Sequence, residues 1–421
     1  MRRLLIVSPH FPPINAPDMQ RVRQCLPYLA ASGWEAEVLA VRPVDVAMPQ
    51  DPWLAAMLPI SVPIHQVAAI PLSITRHFGI GALSWRAQGA LGRKGSELLR
   101  NGHFDLVFFS TTQFPCMKLG AKWRKTYGVP YIVDWQDPWV TDYYSRPGSA
   151  APPGGWKYRV AAWRANRLEG PVLRSASGLV STSSEYISDL LKRYPWFQFT
   201  PKTVIPFGAE PADYSIALKP EVQSALTRRP GVKHLVYIGA AGPIMRPALE
   251  HLFEGIKRWL GAHPAKRSLL RLHFIGTSYA PMERQVPSVL PLATAAGLGD
   301  IVEESTGRVG HFTALKTLKE ADGLLLLGSD EAGYSPSKIA TLAHSGRPVL
   351  CVIPGNGQLE TRLSEAGFPY LACYQPYPEY HKIEEFLNGS VTSIAATLDN
   401  NMTAEAQSRK LLQFFDEVLD R

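Results

Sequence analysis

An alternation of short apolar runs with helix-spaced segments constrains this chain more than any other feature; it begins at residue 4 and begins again at residue 235. Residues 4–7 (LLIV) close in Ser8-Pro9, the pattern of a strand buried on both faces. Asp18 is then placed to cap a helix in which Met19, Val22, Leu26, Leu29 and Ala30 keep helical spacing. Gly33 stops that helix, and residues 36–41 resume a strand. One such βαβ unit implies a parallel sheet with a right-handed crossover. The rhythm predicts further strands at 106–110, 131–134 and 178–181, and in the second series at 235–238, 270–275, 323–327 and 349–352. Helices are expected at 248–260, 312–321 and 337–344. Between the series, 205–232 shows no sustained period, and its stretch IPFGAEPADYSIALKPEVQSALTRRPG carries four prolines. The expected architecture is therefore two doubly wound α/β halves joined near 205–232. Ligands should bind beyond the carboxyl ends of the strands, in the cleft between the halves.

Composition narrows the class without choosing a function. With 46% hydrophobic and 10% aromatic residues, the 421-residue chain is neither disordered nor fibrous. Its net charge of +8 suits a nucleotide, a phospholipid surface or a nucleic acid equally well. The basic residues are spread along the chain and compose no nucleic-acid-binding module, so nucleic acid is not an expected partner. Cys25, Cys116, Cys351 and Cys373 form no CxxC pair and no cluster with histidines, which disfavours a zinc site or a disulfide framework and fits a reducing cytosol. The longest stretch without a charged residue, 52–75, contains Pro52, Pro59, Pro63 and Pro71, so no membrane span is expected. That stretch and the basic, aromatic run WKYRVAAWRANRLE (156–169) are candidates to lie on a bilayer surface; a solvated basic face over ordinary core contacts describes them as well.

Three places combine residue types that carry chemistry. In GYSPSKIATLAHSGRPVL a buried strand feeds a loop with Gly333, Tyr334 and Ser335, and a helix then opens at Ser337-Lys338. Free backbone amides, the helix dipole and a lysine at one helix mouth would hold a diphosphate. A Ser-Pro helix start with a solvated lysine fits the same residues. Gly239 and Gly242 follow the strand that opens the second half, with Arg246 four residues further on. A tight βα turn explains the glycines, while a guanidinium there can grip phosphate oxygens. Asp134 and Asp137, in VDWQDPW, stand at the carboxyl end of a strand, where Asp137 is expected to accept or orient an acceptor proton and Asp134 to assist. A turn packing Trp135 and Trp139 is the plainer account of that run. His10 and Asn15 in the first loop are expected to face the same cleft.

Taken in order, these segments resemble one family. GYSPSKIATLAHSGRPVL resembles the donor-site segment of retaining glycosyltransferases of family 4, which have the two-domain GT-B fold. SPHFPP with the following R-x-x-x-x-x-L-x-x-x-G-W-E-A-E-V-L, VDWQDPW, LVSTSSEY and VIPFGAEPADY resemble its other landmarks, so the likeness runs over nearly the whole chain. The resemblance implies two Rossmann-like domains facing each other across a cleft: an acceptor-binding domain at 1–210, a nucleotide-sugar domain at 211–403, and a C-terminal helix at 404–421 that crosses back to the first. It also implies a diphosphate at Ser337, Lys338, Arg246 and Gly242, and donor nucleoside or sugar contacts at Val309, Gly333, Tyr334, Ser335 and Thr341. Two glutamates that the family commonly places eight positions apart correspond here to Gly333 and Thr341, so donor recognition departs from the usual pattern; Glu331 lies two residues early.

The implied activity is transfer of a sugar, with retention, from a nucleoside diphosphate sugar to a hydroxyl of a saccharide, lipid-linked or small-molecule acceptor. Cell-surface polysaccharide or glycoconjugate synthesis is the expected setting. No cofactor and no metal are expected, and the expected location is cytoplasmic, with a peripheral contact to the inner face of the membrane. A sugar-nucleotide epimerase or a non-catalytic GT-B partner are the alternative readings.

Overall fold

The computed structural model describes residues 1–78, 81–141, 155–278, 280, 282–329, 336–355, 357–389 and 400–421. These group into two units, one of residues 1–208 with 404–421, the other of residues 209–403.

The first unit is built on β1 (Arg2–Val7), β2 (Trp34–Val41), β3 (Ile64–Val67), β4 (Leu106–Ser110), β5 (Tyr131–Trp135), β6 (Gly178–Ser181) and β7 (Lys202–Val204). All pair in parallel, in the order β3-β2-β1-β4-β5-β6-β7. The chain direction across the sheet reverses between β1 and β4, so the loops after these two strands diverge and leave a crevice at their carboxyl ends. The helix Gln20–Leu29 buries Val22, Leu26 and Leu29 against one face of this sheet. Gly33 leaves the helical path with φ +79°, a conformation that costs a glycine little. The C-terminal helix Ala404–Leu419 adds Leu411, Leu412 and Phe415 to the same core. Phe415 meets Trp34 and Phe108 edge-on at 5.7 and 4.9 Å, and Arg2 ion-pairs with Asp416 and Asp420.

Segment 52–75 is folded and keeps exposed apolar residues, Ile60, Ile70 and Ile74 among them. It folds into the short helix Pro52–Ala56, the edge strand β3 and the turn of helix Leu72–Thr75. Each proline stands outside a strand or in the first turn of a helix, where a missing N–H costs little. Among the described residues no helix is long and apolar enough to cross a membrane.

The second unit carries β8 (Lys233–Ile238), β9 (Leu270–Ile275), β10 (Val302–Ser305), β11 (Gly323–Leu327), β12 (Val349–Ile353) and β13 (Tyr370–Cys373). They form a parallel sheet in the order β10-β9-β8-β11-β12-β13, with the reversal between β8 and β11. Leu249, Leu252, Phe253 and Ile256 of the helix Arg246–Ala262 pack with Leu235, Leu272, Leu325 and Leu350 in one core. The weakly apolar strands β3, β7 and β10 escape a reading based on buried runs, because edge strands need not be apolar on both faces.

A histidine pair is buried between β8 and β9. The Arg229 N–H donates to His234 Nε2 at 3.0 Å, so His234 carries its proton on Nδ1 and donates to His273 Nε2 at 2.8 Å. That leaves the His273 Nδ1–H facing Glu303, 3.3 Å away, which also receives Arg229. An extra proton on either ring would set donor against donor. Burial, more than any neighbouring charge, holds both rings below the ordinary histidine value of 6.5. The unfolded chain therefore binds more protons just below that value, so this stabilisation is complete above pH 6.5 and is lost as the pH falls toward the folded-state values. Calorimetric melting should show the second unit losing stability between pH 7.5 and 5.5. His273→Gln, which keeps an acceptor for His234, should reduce that slope by the share of His273; buried His251, depressed to about 4, adds to the slope independently.

Candidate functional site

At the carboxyl edge of the first sheet, polar side chains from several loops converge under cover. Arg21, on the helix after β1, donates through Nε to Asp134 Oδ2 at 2.8 Å and through Nη2 to the Ile205 carbonyl at 2.7 Å. Its guanidinium lies over the Phe207 ring at 5.0 Å. Ser110 at the end of β4 and Gln136 after β5 also donate to Asp134 Oδ2, at 2.8 and 2.7 Å. Asp134 is wholly buried, and its Oδ1 has no hydrogen-bond partner among the described residues. The expectation that Asp134 takes part in catalysis is therefore corrected. It is sealed from any acceptor and ties β4, β5, the Gln20–Leu29 helix and the stretch after β7 together.

Asp18 is likewise not a helix cap. It lies in a 3-10 turn, Pro17–Met19, and makes no capping bond. Its carboxylate turns inward instead, meeting His10 Nδ1 at 2.9 Å and accepting from the Thr111 hydroxyl at 3.0 Å and the Thr112 N–H and hydroxyl at 3.0 and 3.1 Å. Burial works to raise the Asp18 carboxyl, but the His10 ring and the threonine donors outweigh it and hold the carboxyl below its ordinary value. An ionised carboxylate only accepts, so the His10 Nδ1 carries a proton toward Asp18 and the ring is held in one orientation. His10 is thus an oriented ring at the reversal point of the first sheet, though only 7% exposed. Asn15 is buried nearby along the chain, its N–H given to the Pro49 carbonyl at 2.9 Å. Asp137 stands exposed in the loop after β5, while Trp135 and Trp139 of the same run pack on Phe114 at 5.3 and 5.4 Å. Arg21, Asp18, Thr111 and Gln136 went unnoticed as site residues because nothing in their spacing distinguishes them from surface polar residues.

In the second unit the decisive contact is made by Lys338. Its Nζ donates to the Ile238 carbonyl at the end of β8 and lies 5.0 Å from the Tyr237 ring centre. Gly239 follows with φ +142°, and a Cβ there would collide with the lysine ammonium. The backbone conformation favours glycine at 239, and the lysine ammonium occupies the space that a side chain would take. Burial first, and then the Arg308 charge, lower the Lys338 pKa to about 8. The cation sits at the reversal point of the second sheet, where α/β ligands bind.

Other expectations for this unit change. The helix is Ile339–His344, six residues long, with Lys338 as its N-cap residue and no side-chain cap. Ser337 is exposed and precedes it, so the helix-mouth argument gives way to a single cation. Arg246 opens its helix but turns along it to pair with Glu250 at 2.7 Å, its side chain 64% exposed. A Cβ on Gly242 would meet nothing within 4 Å, so no steric demand accounts for that glycine. Val309 is half-buried just before the helix His311–Glu320, and Thr341 gives its carbonyl to the Tyr214 hydroxyl at 2.5 Å. Gly333, Tyr334 and Ser335 lie outside the described residues. Glu304, overlooked in the sequence, accepts from the Thr277 hydroxyl at 2.6 Å and from the N–H groups of Ser288, Val289 and Leu290, fixing the loop after β9.

Residues 20–208, which supply Arg21, Asp134 and the loops around them, match the family model of the glycosyl transferase 4-like domain. Over that stretch the chain is similar to the glycosyl transferase 4-like domain. The solved structures place the whole chain in the GT-B fold. Anabaena HepE, in complex with UDP and glucose, superposes with a TM-score of 0.62 at 13% identity, covering 99% of this chain and 100% of its own. An alpha,alpha-trehalose-phosphate synthase (UDP-forming) from Burkholderia vietnamiensis gives 0.62 at 12%, covering 100% of both chains. The UDP-GlcNAc 2-epimerase from Methanocaldococcus jannaschii gives 0.56 at 12%, covering 99% and 100%. At these identities the likeness establishes the fold. No curated protein sequence matches the chain.

The Arg21–Asp134 pair makes a direct prediction for the first unit. Removing one partner of a buried ion pair strands the other charge, at a cost of about 3–5 kcal/mol. Asp134→Ala should lower the denaturant midpoint of the first unit accordingly. Asp137→Asn, at an exposed position, should leave that midpoint within about 0.5 kcal/mol of wild type.

Proposed function

We propose that the protein is a glycosyltransferase that moves a sugar from a nucleoside diphosphate sugar to an acceptor hydroxyl in the synthesis of a saccharide or lipid-linked glycoconjugate. The observation that carries this reading is the Lys338 ammonium, held at the carboxyl end of β8 against a glycine that makes room for it. A lysine whose pKa is depressed by burial and by a neighbouring guanidinium gains from an anion. The departing diphosphate supplies that anion, and stabilising its charge is the main catalytic demand of such a transfer. UDP is the nucleotide to test first, because the HepE structures hold UDP and UDP-glucose.

In this reading Lys338 and Arg308 neutralise the diphosphate, with Arg246 as a further cation, and Val309 and Thr341 border the nucleoside or sugar. On the acceptor side, Asp18 orients His10 so that Nε2 receives the hydroxyl proton, and Asp137 binds the acceptor. Retention of configuration and independence from metal belong to the same proposal. The similarity in fold to the UDP-GlcNAc 2-epimerase from Methanocaldococcus jannaschii supports a second reading, epimerisation of the sugar nucleotide. Incubation with UDP-sugars and no acceptor distinguishes the two: a free epimerised donor would replace transfer as the activity.

Lys338→Met keeps the stem and removes the charge. The loss of one charge-assisted contact, about 1.5–3 kcal/mol, should weaken UDP roughly ten- to a hundredfold and free uridine far less. UDP binding should also raise the Lys338 pKa, so calorimetry at pH 8 should show proton uptake as a buffer-dependent enthalpy, absent in Lys338→Met. Equal binding by both proteins would place the phosphates elsewhere. Asp137→Asn should lower turnover much more than UDP affinity, as measured by initial rates alongside calorimetry.

A further inference from the structure

The helix Trp156–Ser175 is only half used by the fold. Its buried residues are Ala165, Glu169, Val172 and Leu173, so no residue of its first two turns is buried. At 3.6 residues per turn, Trp156, Val160 and Trp163 fall within about 60° of one another, opposite Ala165, Glu169 and Val172. They are 67%, 38% and 58% exposed, an apolar stripe that the domain leaves uncovered. Lys157 and Arg164 flank the stripe on one side and Arg159 on the other, all exposed, while Arg167 continues its line. The Arg167 guanidinium stands 5.0 Å from the Trp163 ring centre and the Lys157 ammonium 6.0 Å from that of Trp156. No carboxylate occurs from Trp156 to Leu168. The cationic surface continues onto neighbouring helices, where Trp85 receives Arg164 at 5.3 Å and Lys118 at 5.4 Å.

We infer that this helix is a docking surface for an anionic lipid bilayer, with Trp156, Val160 and Trp163 entering the headgroup–acyl boundary and the flanking cations remaining among the phosphates. Two indoles spaced along one line of a helix match the interfacial preference of tryptophan. Cations on long stems beside the stripe can rest on the apolar boundary while their heads stay hydrated. Charge decides among occupants. A second copy of this chain would bring the same four cations against these four, since a two-fold contact is self-complementary. A nucleic acid would use the cations but would leave a central aliphatic valine on the stripe without purpose. The inference stands independently of the donor site.

The test is sedimentation of the full chain with vesicles of phosphatidylcholine containing about one-third phosphatidylglycerol, against vesicles of phosphatidylcholine alone. The expected result is binding to the anionic vesicles at low salt, reduced at high salt, with little binding to the zwitterionic ones. Trp156→Ala with Trp163→Ala should weaken it about tenfold or more, and Arg159→Gln with Arg167→Gln should weaken it comparably and reduce its salt dependence. Both pairs are exposed, so thermal melting should match wild type and certify the fold. Failure to bind anionic vesicles would overturn the inference, as would binding that survives the tryptophan substitutions. Self-association or RNA binding lost in the tryptophan variant, without vesicle binding, would overturn it in favour of another occupant.

Discussion

A guanidinium and a carboxylate sealed from water hold the working edge of the first unit together. Asp134 comes from the end of β5 and Arg21 from the helix that follows β1, and Arg21 also reaches the Ile205 carbonyl beyond β7. A parallel sheet leaves its carboxyl edge to loops, which have no ladder of their own to fix them. A buried charge pair supplies that restraint, because separating the two would strand both in a medium that cannot solvate them. Ser110 and Gln136 saturate one carboxylate oxygen and extend the tie to β4. The His10–Asp18 contact is built on the same edge, with Thr111 and Thr112 of the loop after β4 as its other supports.

The second unit solves the same problem with one cation and one glycine. Lys338 spans from the segment after β11 to the end of β8, joining the two strands between which the sheet reverses. Its ammonium meets a neutral carbonyl and an aromatic face, neither of which carries a countercharge. A site of that kind differs from the exposed Arg246–Glu250 pair, whose charge is already matched along its own helix and screened by water. The contrast makes Lys338, and not Arg246, the buried cation of the unit.

Much of the architecture was legible from residue order. Strands 106–110 and 178–181 could be located because a strand covered by helices on both sides must be apolar throughout, and 36–41 located all but the first two residues of β2. Edge strands escaped, since β3 and β10 carry His65, Gln66, Glu303 and Glu304. Local chemistry misled at the helix starts. Asp18 and Ser337 are residue types that cap helices, yet Asp18 found more donors inside the fold than at its own helix, and Ser337 lies outside a helix that begins two residues later.

The sequence by itself determined the two parallel α/β series, the break between them near residue 205, and the presence of Lys338 and VDWQDPW close to strand ends, because apolar periodicity and strand boundaries are local properties. Tertiary structure alone decided which polar residues became a site. Asp134 and Asp137 stand three residues apart, and one is sealed against Arg21 while the other faces water. Gly239 and Gly242 stand equally close, and only the first is crossed by a lysine from a hundred residues away. Burial and partner identity arise from contacts distant in the chain, and it is these that set the charge state and reach of each group.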